Sequence, residues 1–437
     1  MSQHVLLVFL LQLAVLLVVA FALGRLACRL GLPAVVGELL TGVLLGPSLL
    51  GHLAPGLSGW LLPRDPAQMH LLDAVAQLAV VLLVGITGVQ LDLKVLRRRR
   101  ATALRISLAG LLIPLAAGVG VGYLLHGHVS PGQPDRVVFA LFLGVAMCVS
   151  AIPVISKTLS DMGLLHRDVG QLTLTAGMVD DAVGWLLLSV VSALAGAHAL
   201  GAAGMSVLYL ALFVALAGVA GRPLVRAALR VAARSPEAGP PVVVACAVIL
   251  AGAVVTHALG MEAVFGAFIA GILVGSAGPE VTSRLAPLRT VTLAVLAPIF
   301  LAAAGLRMDL TSLRDPDVLV AALVVLAVAV LGKFAGAYLG ARLSRLGHWE
   351  GLALGAGMNA RGVVEVVVAM VGLRIGVLNT AGYTIVVLVA IVTSVMAPFV
   401  LRAAMRRVEH SAEERLRAAE YDRIWSQQRA GEPRHGE

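Results

Sequence analysis

The chain has 437 residues, of which 59% are apolar and only 13% charged, too little polar surface for a soluble globular fold. Its apolar stretches repeatedly reach the ~20 residues needed to span a bilayer, so an all-α polytopic membrane protein is expected. The net charge of +9 resides in short connectors between apolar runs, which makes the lipid surface its expected partner and excludes nucleic acid.

Taken in order, the run from Val5 lacks a basic leader and a cleavage site and outlasts a signal peptide's apolar core, so it is expected to be the first span. Thirteen apolar segments can be drawn, roughly 4–24, 33–51, 70–90, 102–125, 136–158, 169–196, 203–221, 240–258, 262–276, 290–306, 318–341, 350–372 and 381–401. Arg25, Arg29, Lys94, Arg97 to Arg100, Arg105, Lys157, Arg167, Arg222 to Arg234, Arg284, Arg289, Arg342 and Arg345 follow odd-numbered segments. The opposite connectors hold only Arg64, Arg136, Arg307, Arg314 and Arg374. This bias of 18 against 5 predicts an N-terminus outside and a C-terminus inside. Cys28, Cys148 and Cys246 lie in apolar context with neither CxxC nor His-paired spacing; they read as small core residues, not disulfides or metal ligands.

The two halves repeat. Gly37, Gly42 and Gly46 in segment two match Gly266, Gly271 and Gly275 in segment nine. Segment three ends Gly88-x3-Asp92-Leu93-x2-Leu96-Arg97, and segment ten ends Gly305-x3-Asp309-Leu310-x2-Leu313-Arg314. Leu143-Gly144-x2-Met147 in segment five matches Leu354-Gly355-x2-Met358 in segment twelve. Paired segments are seven apart and therefore antiparallel, the inverted-repeat pattern of secondary transporters. The repeats would cover about 1–197 and 240–405, joined by a linker helix at about 203–221. Residues 406–437 would form a short cytoplasmic tail, rich in Arg and Glu and dispensable for activity. Within the repeats, Ser150-Ala-Ile-Pro153 and Gly355, Gly357 and Asn359 before Arg361-Gly362 predict two broken helices, whose freed carbonyls and helix ends suit an ion site.

Chemistry concentrates in TLTAGMVDDAVGWLL, where Asp180 and Asp181 interrupt an uncharged run. An ionised group at mid-bilayer costs about 2.5–3.5 kcal/mol on insertion scales, so two of them need a proton, a cation or a counter-charge. Neighbours on a helix point about 100° apart, which predicts one ligand and one counter-charge rather than a shared partner. Lys333 is the natural counter-charge: only three of the 33 basic residues are Lys, and this one lies mid-segment. A buried ammonium can also lose its proton where a guanidinium cannot, so Lys333 is also a candidate proton carrier; snorkelling is the structural alternative. Arg361 and Glu365, at i and i+4, suit either a neutralised structural pair beside the helix break or direct substrate contact. Glu38 suits a gate or a helix-packing acid. The His residues lie mostly in connectors and form no zinc constellation.

The stretches PAVVGELLTGVLLGPSLLG, LLVGITGVQLDLKVLRR, VSAIPVISKTLSDMGLLHRDVGQLTLTAGMVDDAVGW, GKFAGAYLGARLSR and GMNARGVVEVVVAMVGL resemble, in order and spacing, the second branch of the monovalent cation:proton antiporters, over about residues 5 to 400. The resemblance implies a multi-pass plasma-membrane homodimer that exchanges Na+ or K+ for H+, with a fixed dimerisation domain and a core domain moving as an elevator. It implies Asp181 as the acid binding either cation or proton, Asp180 as the acid salt-bridged to Lys333, and segments five and twelve as crossed broken helices. No organic cofactor and no enzymatic activity are implied. The glutathione-gated potassium-efflux members carry a large nucleotide-binding domain after the last span; here about 35 mostly polar residues follow. Two other classes are weighed. An intramembrane aspartyl protease needs carboxylates facing each other across two helices, which adjacent acids on one helix cannot provide. A cation channel or uniporter is the remaining alternative, distinguished by ion flux without proton counterflow.

Overall fold

The computed structural model describes residues 3–62, 66–91, 100–129, 135–165, 167–196, 200–237, 239–409 and 414, and among them the fold is all-helical. Its principal helices are α1 (Gln3–Arg29), α2 (Ala34–Leu45), α3 (Pro66–Val89), α4 (Arg100–Val129), α5 (Arg136–Cys148), α6 (Ile152–Asp161), α7 (Asp168–Gly196), α8 (Leu200–Leu216), α9 (Arg222–Ala232), α10 (Gly239–Ala258), α11 (Ala263–Gly275), α12 (Ala297–Gly305), α13 (Pro316–Leu343), α14 (His348–Met358), α15 (Val363–Arg374) and α16 (Thr380–Met405). Among the described residues ten helical stretches are long and apolar enough to cross a membrane; α14 and α15, bent by 46°, form an eleventh if counted as one span. The apolar helices α5 and α11 are shorter. Large side chains such as Val18, Phe21, Leu124, Val219 and Leu331 stand exposed. That is the surface of a multi-pass membrane protein, whose helices satisfy their own backbone groups and turn hydrocarbon outward.

Glycines set how closely the helices approach, and they do so in matched places. A Cβ on Gly37 of α2 would lie 2.2 Å from the Leu23 carbonyl oxygen of α1, and one on Gly266 of α11 would lie 2.0 Å from that of Gly252 of α10. Gly42 of α2 packs on Ala302 and Gly305 of α12, and Gly271 of α11 packs on Gly85 and Gly88 of α3. Gly46 meets Leu306, and Gly275 meets Val89. Gly42 aligns with Gly271 in the sequence, and Gly88 with Gly305, so each contact recurs with its partners exchanged between halves. Of the second matched stretch, Asp309 accepts a hydrogen bond from Thr311 N at 2.9 Å and starts a short 3₁₀ turn. Its counterparts Asp92, Leu93, Leu96 and Arg97 lie outside the described residues.

A Cβ on Gly42 would sit 2.0 Å from the Ala302 carbonyl oxygen, and one on Gly271 at the same distance from that of Gly85. Backbone cannot give way as a side chain can, so Gly42→Ala and Gly271→Ala are each expected to destabilise the protein by about 1–3 kcal/mol. The readout is the melting temperature in detergent. Gly120→Ala, where nothing lies within 4 Å, should be neutral or stabilising.

One residue of the tail folds back. Glu414 is buried, its Oε2 lying 3.1 Å from Arg167 Nε, while its Oε1 accepts from the Asp168 backbone N–H at 2.7 Å. Arg167 also donates to the carbonyls of Val408 and Glu409. Glu414 therefore supplies negative charge and an acceptor at the N-terminus of α7. The remainder of residues 410–437 lies outside the described residues, and the expectation that the tail is dispensable is narrowed accordingly. Truncation after residue 408 is expected to preserve activity but lower stability by about 1–2 kcal/mol, the size of a lost helix cap. Melting curves of the full and truncated chains check this.

Candidate functional site

Pro153 stands at the second position of α6, where its missing N–H is tolerated. The same missing donor cannot serve the carbonyl of Val149, four residues back, so α5 and α6 cannot be one continuous helix. The second break, between α14 and α15, runs from Asn359 through Gly362. The two breaks meet: Ala151 N donates to Ala360 O at 3.2 Å, and Ser150 Oγ donates to Met358 O at 2.9 Å. Close packing of α7 on both breaks depends on glycine. A Cβ on Gly184 would come 2.9 Å from Val149, and one on Gly357 would come 2.7 Å from Thr173 of α7.

Helix ends leave orphan carbonyls, and here two cations answer those of α5. Lys333 Nζ donates to Cys148 O at 2.5 Å. An Arg361 Nη donates to Met147 O at 2.6 Å and to Ala329 O at 3.2 Å. Arg361 also pairs with Glu365 at 2.9 Å, and its carbonyl accepts from Ser394 Oγ. Every one of these groups is buried, and the Arg361–Glu365 pair ties the second break to the end of α5 and to α13.

Asp180 is enclosed on all sides. Its Oδ2 lies 2.6 Å from Lys333 Nζ and 3.1 Å from Ser150 Oγ, whose single proton it shares with Met358 O, while Oδ1 accepts from Ser107 Oγ of α4 at 2.6 Å. Aspartate and lysine are both 0% exposed, so neither charge has water to fall back on. Burial of this kind is sustained only by the partner and the added hydrogen bonds.

Asp181, one residue on and also 0% exposed, has none of these partners: among the described residues neither carboxylate oxygen finds a hydrogen bond. The backbone N–H of Ile152, opening α6, faces it without closing a regular one. Asn359, which ends α14 at the second break, is likewise 0% exposed, and its side-chain oxygen and nitrogen have no partner among the described residues. A fully buried carboxylate with free lone pairs, next to helix ends, can take up a proton or a small cation.

The structure thus brings Asp180, Lys333 and Ser150 into direct contact and gathers Pro153, Asn359, Arg361 and Glu365 at the breaks, with Asp181 on the helix packed against both. Glu38 is not among them. It lies half-buried on α2, its Cγ beside Gly24 of α1. Glu262, immediately before α11 in the second half, pairs with Arg374. Ser107 escaped the sequence reading because an isolated hydroxyl in an apolar helix carries no pattern. Cys148 reads as a small core residue, and its part in the site is played by its backbone oxygen, which no residue type reveals.

The family described as "Sodium/hydrogen exchanger, transmembrane" matches residues 14–407. The chain is 32% identical over 375 residues to "Cation/H(+) antiporter 19" of Arabidopsis thaliana, covering 84% of this chain and 46% of that protein. It therefore spans about half the length of such plant relatives. "Na(+)/H(+) antiporter NhaS4" of Synechocystis sp. is 29% identical over 409 residues, covering 92% of this chain and 98% of that one. Among solved structures, the sodium proton antiporter MjNhaP1 from Methanocaldococcus jannaschii superposes with a TM-score of 0.67 at 17% identity, over 92% of this chain and 97% of that chain, which shows a shared fold. With its matching segment running almost end to end and its fold shared with a solved antiporter, the chain belongs to the sodium/hydrogen exchanger family.

Proposed function

We propose that the protein exchanges a monovalent cation, Na+ or K+, for H+ across the membrane, with Asp181 as the shared site. The observation that carries this is the contrast between adjacent acids: Asp180 is paired and hydrogen-bonded, whereas Asp181 is equally buried and has no hydrogen-bond partner among the described residues. One carboxylate taking either ligand makes cation and proton compete, which is the condition for coupled exchange. Family membership and the names of the relatives support the same reading.

The movement is of the elevator type, in a chain built from inverted repeats at about 1–197 and 240–405. The exchanged glycine contacts support the repeats, since α2 meets α12 as α11 meets α3. The moving core would hold α4 to α7 and α13 to α16, which carry every residue of the acid cluster. A frame of α1 to α3 and α10 to α12 would stay fixed in a homodimer. The bias of basic residues supports an N-terminus outside and a C-terminus inside.

The test is cation-induced dequenching of a pH dye in proteoliposomes, run with sodium, potassium and lithium. Proton efflux driven by an added cation supports exchange. Cation flux without proton counterflow would establish the channel reading in its place.

A further inference from the structure

A second site lies apart from the acid cluster. A cavity of about 850 Å³ opens between α9, the ends of α3 and α11, and the turns that follow α11; none of its lining residues belongs to α5, α6, α7, α14 or α15. Among the described residues its lining includes Arg222, Arg226, Arg230 and Arg289 and no carboxylate. The first three recur every fourth residue on α9, so each stands about 6 Å above the last and only about 40° round the axis. Val225 and Leu229, on the adjoining face of the helix, are buried in an apolar cluster with Ile86, Val274 and Leu285, which anchors the helix beside the cavity. Arg226 is held further by donating to the Ser276 carbonyl at 2.8 Å.

Four guanidinium groups around one cavity repel each other unless an anion sits among them, and guanidinium forks match phosphate oxygens in bidentate pairs. The hydroxyls of Thr282 and Ser283 add donors, while Ile86, Val89 and Ile272 supply an apolar wall. We propose that this cavity binds a phosphate-bearing anion. The apolar wall beside the charge favours the headgroup of an anionic phospholipid as its source. The site is independent of the exchange chemistry, because it shares no residue with it.

The test uses the full chain in detergent, its melting temperature followed during titration with short-chain phosphatidylglycerol, short-chain phosphatidylcholine and inorganic phosphate. Phosphatidylglycerol is expected to raise the melting temperature saturably, and phosphatidylcholine to leave it unchanged. R222Q together with R230Q keeps Arg226 on Ser276 and should weaken phosphatidylglycerol by about tenfold or more. R402Q together with R406Q removes two charges at the end of α16, outside the cavity, and should preserve the affinity. The melting temperature without ligand reports whether each variant is folded. A saturable phosphate shift, lost in the cavity variant and not reproduced by phosphatidylglycerol, would support the same site with a free ion as its source. Equal shifts from both lipids with none from phosphate, unaltered binding in the cavity variant, or equal weakening in both variants would overturn the proposal.

Discussion

Asp181→Asn is expected to reduce cation-driven proton movement in proteoliposomes to the level of empty vesicles while the protein still inserts and folds. The substitution keeps shape and volume but removes the only charge in the proposed binding site. Folding should survive because, among the described residues, Asp181 makes no hydrogen bond or ion pair that the amide would forfeit. An unpartnered buried amide also costs less than an unpartnered carboxylate, so the melting temperature should hold or rise. The matching change at the neighbour should behave in the opposite way. Asp180→Asn strips Lys333 of its counter-charge and weakens the bonds from Ser107 and Ser150, so loss of stability should accompany loss of transport. Retained sodium or potassium exchange by a folded Asp181→Asn protein would sink the central reading.

Lys333→Ala is expected to destabilise the protein by about 3–5 kcal/mol, the cost of leaving a buried carboxylate without its partner. It also leaves the Cys148 carbonyl at the end of α5 without its donor. Lys333→Arg keeps the charge and is expected to cost less, though a broader guanidinium must fit where Nζ now sits 2.5 Å from Cys148 O and 2.6 Å from Asp180. The functional difference lies in titration. If the cation displaces protons from both Asp181 and Lys333, two protons exchange for one cation and the cycle moves net charge. Arginine cannot release its proton, so Lys333→Arg should convert exchange to one-for-one. Currents on solid-supported membranes decide the matter: a potential-sensitive current in the native protein should vanish in Lys333→Arg. Its absence from the native protein, or its persistence in the variant, would reduce Lys333 to a structural role.

Much of this was legible in the residues alone, because hydropathy, helical breaks and isolated intramembrane charges leave strong local marks. Ser150 to Pro153 and Asn359 to Gly362 announced two interrupted helices, and the glycine spacing announced contacts that recur in both halves. The 100° between neighbouring helix positions already required Asp180 and Asp181 to serve different partners. Helical periodicity does not say which neighbour lies in which direction, however, and that was decided in three dimensions. Lys333 lies 153 positions beyond Asp180, and Ser107 lies 73 before it; only the packing of α4, α7 and α13 brings them to one carboxylate. Packing also brought Arg361 to the carbonyls of Met147 and Ala329, groups every residue possesses and no sequence pattern distinguishes. It placed Glu38 against α1 and turned four arginines that read as ordinary connector charge toward a single cavity. Local chemistry is carried by residue identity, but the choice among possible partners depends on helix azimuth and on orphaned backbone atoms, and both come into being only when the helices pack.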